Sequence, residues 1–337
     1  MQRPMMDPTF LHEATAARPS KRSWLAWGRR FLRAICRFLL AAPFGRNRHF
    51  RNEDGTRTTR FLRTLTHRLA FAPILLVAFL LAIVMAATHP DRQVATSDPL
   101  SFGVYYDPVN FLADDGARLE GWLVPVIDAK RVLEEKELVV GRRYPAVVLV
   151  HDFTASRQQL LPLVQPLHDS GFVVLDVNLR GSGGLSGNAQ TFGIREASDI
   201  KGAIDMLRRR SYVDPDKIAL VGVGTGANAC LIAARNDPTI TSMALGWPVR
   251  NFDQAFAARV GPNHAWLAPL HHLFRWTFEV MYGVDTADLD TSNFTKVIDQ
   301  RHVLLAGYHP RAIDARYVQA VRSFLQKYLI DEVADAK

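Results

Sequence analysis

The sequence predicts an α/β protein: a doubly wound, mostly parallel sheet with an N-terminal hairpin, preceded by a single transmembrane helix. Three observations predict it. Residues 109–126, VNFLADDGARLEGWLVPV, alternate apolar and polar on either side of Asp115-Gly116, which is hairpin chemistry. From residue 144 onward short apolar runs alternate with helical patterns, the order that sandwiches a parallel sheet between two helix layers. Upstream, LAFAPILLVAFLLAIVMAAT (69–88) holds twenty residues without a charge. At 1.5 Å per residue that run is about 30 Å long, one bilayer core.

The chain has 337 residues and a formal net charge of +8, unevenly spread. Residues 1–68 carry 15 Lys+Arg against 4 Asp+Glu, and residues 69–337 carry 26 against 29. The basic excess therefore belongs to an N-terminal arm, whose partner is either lipid or nucleic acid. The apolar run that follows selects lipid, and no nucleic-acid partner is expected. Within the arm, residues 23–44 place Trp24, Trp27, Phe31, Ile35 and Phe38 at helical spacing, interleaved with Arg29, Arg30, Arg33 and Arg37. An apolar face with snorkelling cations suits a helix lying on an anionic membrane surface. Residues 45–60 read as a polar, flexible link. Pro73 falls near the start of the apolar run, where a helix tolerates it. The arm before the run ends in RTTRFLRTLTHR, and the twenty residues after it hold only Arg92. The positive-inside rule then puts the N-terminus in the cytoplasm and the C-terminal domain outside, on a single-pass cell-membrane protein. Cys36 and Cys230 fall on opposite sides of the bilayer in this topology and cannot pair.

The expected organisation is a basic arm over 1–68, the span over 69–88, a linker over 89–99 and a folded domain over 100–330. In that domain the charged stretch 128–143 is a surface excursion. YPAVVLV (144–150) reads as a strand buried on both faces. A helix follows HDFTAS, then the strand FVVLDVNL (172–179), a glycine-rich loop (180–193) and the helix REASDIKGAIDMLRRR. DPDKIALVGVG is a strand, NACLIAARN a helix and ITSMALGWP a strand. AWLAPLHHLFRWTFEVMYG is helical, HVLLAG is a last strand and ARYVQAVRSFLQKYL a last helix.

The glycine-rich turn GVGTGA (222–227) poses the functional question. As G-x-G-x-x-A it could cradle a dinucleotide. That reading needs an acid near the end of the next strand to hold the ribose, and that strand ends in Gly246-Trp247-Pro248. The other reading is a strand-to-helix elbow, G-x-S-x-G, with Gly224 at its centre.

Taken together, DGARLEGWLVP, the run from VVLVHDFTAS to NLRGSGGLSG, TFGIREASDIKGAIDMLRR and DPDKIALVGVGTGA resemble the α/β-hydrolase superfamily, in particular its peptidase/esterase-like branch. The resemblance implies that Gly222, Gly224 and Gly226 form a vestigial nucleophile elbow, with glycine where the nucleophile should stand. It implies that Phe153 and Thr225 hold oxyanion-hole positions, with the Thr225 side chain turned elsewhere. It places Asp152 where the family has glycine, a carboxylate opposing the charge such a hole stabilises. Asp176, Arg180, Glu196 and Asp199 match polar positions, and Asp152, Asp176 and Arg180 are expected around the pocket loops. The acid expected after HVLLAG is replaced by Tyr308-His309-Pro310. His309 is the residual histidine only if HVLLAG is the final strand, and a histidine with no orienting acid is a poor base.

Other clusters read as structure. His271 and His272 are adjacent on a helix and face different ways, so a metal site with His264 or His302 is not expected. Trp266, Phe274, Trp276, Phe278 and Tyr282 either cover the pocket or pack a core. The expected function is a membrane-anchored hydrolase-like protein without serine-hydrolase activity that binds a ligand or protein partner, with no cofactor. The alternatives are an active ester or peptide hydrolase with another nucleophile, and a structural membrane protein.

Overall fold

The central strands, at residues 144–150, 173–178 and 213–223, form where β-branched residues recur, and most strands are buried on both faces. A computed structural model describes residues 56–89, 95–126, 142–153, 155–182, 189–260, 270–306 and 313–331. The expected surface helix at 23–44, His309, Cys36, His264 and Trp266 lie outside the described residues.

The chain divides into two compact units, one of Met1–Met85 with Asn263–Thr277 and one of Ala86–Pro262 with Phe278–Lys337. In the first, helix α1 (Thr56–Thr88) is continuous through the apolar run, and Leu69–Thr88 is long and apolar enough to cross a membrane. Two expectations change here. Residues 56–60, read as flexible link, are already helix. Pro73 consequently lies deep inside the helix and not near its start. A proline there removes one backbone hydrogen bond, a loss tolerated in helices that lie in lipid. The unit also takes in 263–277, which the sequence assigns to the folded domain.

The second unit is a seven-stranded sheet among the described residues, ordered β1-β2-β4-β3-β5-β6-β7. Its strands are β1 (Asp107–Leu112), β2 (Arg118–Val124), β3 (Tyr144–Val150), β4 (Val173–Asn178), β5 (Val213–Val223), β6 (Ser242–Gly246) and β7 (His302–Ala306). β1 and β2 form the expected antiparallel hairpin, β2 runs antiparallel to β4, and every other pairing is parallel. Helices α2 (Leu161–Asp169), α3 (Glu196–Arg208), α4 (Thr225–Asn236), α5 (Phe252–Val260), α6 (His271–Tyr282), α7 (Thr295–Asp299) and α8 (Ala315–Gln326) connect them. Two apolar cores flank the sheet. One packs Val148, Leu175 and Leu220 against α3 and α4, the other packs Leu149, Val174 and Val221 against α2 and α8. β7 is the edge strand beside β6, and α8 begins nine residues after it.

One buried ion cluster ties the sheet to its connections. Arg180, just past β4, is completely buried. Its Nη1 and Nη2 donate to the two oxygens of Asp115 in the hairpin turn at 2.6 and 2.9 Å. Its Nε and backbone N–H donate to Asp199 of α3, both at 2.9 Å. Glu196, also buried, accepts from the Thr191 and Gly193 N–H groups at 2.7 and 2.9 Å. These acids and Arg180 therefore fix loops.

Candidate functional site

β5 ends at Val223 and α4 starts at Thr225, so Gly224 alone makes the joint. Its backbone sits at φ 57 and ψ −125, a region that costs residues with a side chain about 1–3 kcal/mol. Its N–H donates to the Gly246 carbonyl at 2.9 Å, tying the turn to the end of β6. Gly222 and Gly226 flank it where backbones crowd. A Cβ on Gly222 would lie 2.7 Å from Cys230 Sγ, and one on Gly226 would overlap the His151 carbonyl oxygen.

The loop after β3 meets this turn. Asp152 sends its carboxylate over Gly224, and a Cβ built on Gly224 would overlap both carboxylate oxygens. Asp152 Oδ1 accepts from the Phe153 N–H at 2.7 Å and the Thr225 N–H at 2.8 Å. The Thr225 hydroxyl approaches the same oxygen at 3.2 Å and accepts from the Phe153 N–H at 2.9 Å. The Thr225 side chain, expected to turn elsewhere, thus joins the cluster, because Asp152 and Phe153 both offer its hydroxyl a partner. Two N–H groups converging on one oxygen are the arrangement that stabilises a developing oxyanion. Here that oxygen belongs to the protein itself.

His151 anchors the Asp152 loop. Its Nδ1 pairs with the Asp152 carbonyl at 2.8 Å, and its Nε2 accepts from the Leu179 N–H at 3.1 Å. One ring nitrogen accepts, so the imidazole is neutral. Complete burial is the main cause that brings its pKa down to about 4; the hydrogen bond to the Asp152 carbonyl opposes the fall, and nearby Arg157 adds to it. The unfolded chain, titrating near 6.5, binds a proton that the folded chain refuses between those values. Stability from this group is full above pH 6.5 and is lost as pH falls towards 4, by about 3 kcal/mol in all. Thermal unfolding of the parent and His151→Gln from pH 7 to 4.5 should show this loss in the parent and a shallower pH slope in the variant.

Aromatic side chains pack against the same loop. The Phe153 ring stacks on Phe192 at 4.9 Å, and Phe192 meets Phe252 and Phe278 at 5.9 and 5.8 Å. Phe192 is 1% exposed and has φ 60, unusual for a bulky residue. The Glu196 carboxylate, holding the N–H groups on either side of Phe192, keeps it there. Of the aromatic group read as covering a pocket or packing a core, Phe274 and Phe278 are buried, whereas Trp276 is 61% exposed. Phe192 was not anticipated, because its role depends on a positive φ that a bulky residue does not announce.

Asp176, expected among the pocket loops, lies inside β4 between Trp122 of β2 and Leu149 of β3. It is fully buried, and among the described residues neither carboxylate oxygen has a hydrogen-bond partner. Burial pushes its pKa well above the usual carboxylate range. Arg180 likewise is enclosed, facing Asp115 and Asp199. Of the histidines considered as metal ligands, His271 and His272 meet edge to face and His302 stacks on Tyr328.

Residues 159–245 match the prolyl oligopeptidase family. The uncharacterized protein YfhR of Escherichia coli K12 is 28% identical over 150 residues, 44% of this chain and 48% of that protein. The polyketide transferase ATR5 of Stachybotrys chlorohalonatus is 30% identical over 150 residues, 43% of this chain and 46% of that protein. The chain spans about half the length of the curated relatives it matches. Among solved structures, the Pyrococcus furiosus esterase Pf2001 superposes with a TM-score of 0.52 at 18% identity, over 72% of this chain and 98% of that one. With the sheet order and the strand-to-helix turn, these likenesses define an α/β-hydrolase-like fold.

Proposed function

We propose that this chain is a membrane-anchored α/β-hydrolase-like protein that has no serine-hydrolase activity and acts by binding a ligand or a protein partner. The observation that carries this reading is the occupation of the Phe153 and Thr225 N–H pair by the Asp152 carboxylate, above a Gly224 with no side chain. In the elbow geometry the nucleophile would project from position 224, and glycine supplies none. An acyl oxygen entering the site would have to displace an anion hydrogen-bonded to the donors it needs. The aromatic block on Phe153 supports the same reading, because it fills space beside the donors with ring carbon. The apolar length of Leu69–Thr88 supports anchoring, and the charge asymmetry around it supports a cytoplasmic arm and an outer domain.

One observation favours a second reading. The Asp152 carboxylate occupies the volume that a nucleophile at 224 would fill, so an active hydrolase using that carboxylate would place it here. The three donors around Oδ1 argue against it by lowering its nucleophilicity. Incubating the purified full chain with a fluorophosphonate probe and with short-chain aryl esters tests both. The expected result is neither labelling nor turnover above the buffer rate. Labelling at a mapped serine or threonine would overturn the proposal, and ester turnover abolished by Asp152→Asn would establish the second reading in its place.

A further inference from the structure

Helix α6 carries an apolar stripe on its outer face. Leu273, Trp276 and Val280 are 42%, 61% and 64% exposed, and Met281 flanks them. The spacing i, i+3, i+7 brings the three onto one side of the helix, within about 60° of one another. The opposite side is already used, since Phe274 and Phe278 are buried. The helix is therefore apolar on two faces, and among the described residues only one of them has protein against it. Exposed apolar residues scattered singly need no explanation, but a run along one helix face marks a surface that something covers.

Two observations say what covers it. Leu273 and Trp276 belong to the compact unit built around α1, whose own exposed residues include Leu69, Phe71, Ile74, Val77 and Leu81. Trp276 in particular offers an apolar ring with one N–H, the residue that collects at the boundary between hydrocarbon and headgroups. We infer that the Leu273, Trp276 and Val280 face of α6 lies in the lipid interface of the same membrane that Leu69–Thr88 crosses, as a second and shallow membrane contact. This rests on the reading of Leu69–Thr88 as a span. A helix lying in the interface needs only one apolar stripe and no hydrophobic length, which is what α6 provides.

The test uses the full chain in a Cys36→Ser background, Cys230 being buried and unlabelled in the folded protein. An environment-sensitive nitrobenzoxadiazole label is attached in turn to Val77→Cys, Trp276→Cys, Val280→Cys and the exposed control Gln319→Cys. Each is reconstituted in phosphatidylcholine–phosphatidylglycerol vesicles carrying a doxyl quencher either shallow or deep in the acyl chain. The expected result is strong deep quenching at 77, quenching at 276 and 280 at least twofold greater with the shallow quencher, and none at 319. Quenching at 77 with 276 and 280 emitting as in water overturns the inference and leaves the span standing. A blue-shifted label at 276 that no doxyl lipid quenches also overturns it, by showing a protein cover. No quenching at 77 removes the span, and the inference with it.

Discussion

Gly224→Ser alone is expected to remain unlabelled by a fluorophosphonate and to lose about 2–4 kcal/mol of stability. The loss has two sources. A side chain at φ 57 and ψ −125 costs about 1–3 kcal/mol. The new Cβ also collides with the Asp152 carboxylate, which must give up its hydrogen bonds to Phe153 and Thr225 to move aside. Pairing the change with Asp152→Gly removes the collision but not the strain. A double-mutant cycle should therefore show favourable coupling of roughly 1–3 kcal/mol between positions 152 and 224. Thermal unfolding of the four proteins measures it. Additive losses would mean that the carboxylate does not sit over Gly224. The double variant also frees both N–H donors. Labelling of that protein at position 224 would show that a working base survives, and its absence would place the defect in the acid and histidine as well.

Arg180→Met should be the most damaging single change in the sheet domain, at about 3–5 kcal/mol. Arg180 and Asp199 are both fully buried, so deleting the guanidinium strands a carboxylate with no water. Asp115, 31% exposed, can turn to solvent and contributes less. Burial already raises the Asp199 pKa, with Arg180 as the main opposing influence. Without Arg180 that carboxyl takes up a proton in the folded state, which is tolerable at low pH and costly at high pH. The deficit of Arg180→Met should thus be larger at pH 8 than at pH 5. Adding Asp199→Leu should recover at least half of it, since the stranded charge is then gone. A deficit independent of pH, with no recovery, would reduce Arg180 to a packing residue.

The sheet was legible because its strands announce themselves. YPAVVLV is β3 residue for residue, and the hairpin turns at Asp115-Gly116 as its alternation requires. Helix α5 was not anticipated, since FDQAFAARV has too weak a pattern to separate from a loop. The start of α1 was misplaced because Thr and Arg at residues 56–60 look like linker when read apart from the helix they extend. At the site, the sequence marked residues 152, 153, 224 and 225 individually. It did not reveal that the Asp152 carboxylate occupies the space above Gly224. That complementarity joins residues 72 positions apart, and only the packing of the β3 loop on the β5 turn expresses it. Asp176 was expected around the pocket loops because it matches a polar position of the resembled family, and the structure encloses it within β4.

The continuity of α1 has a mechanical consequence. Its 33 residues make a rod of about 50 Å, whereas the hydrocarbon core of a bilayer is about 30 Å thick. If lipid covers Leu69–Thr88, the first turns stand about 20 Å clear of it as rod and not as tether. A tether lets its two ends turn independently. A helical rod couples them in angle, so that each residue inserted or removed between Thr56 and Leu69 swings everything attached beyond by about 100°. On that condition the span sets the azimuth at which Thr56 faces the membrane surface.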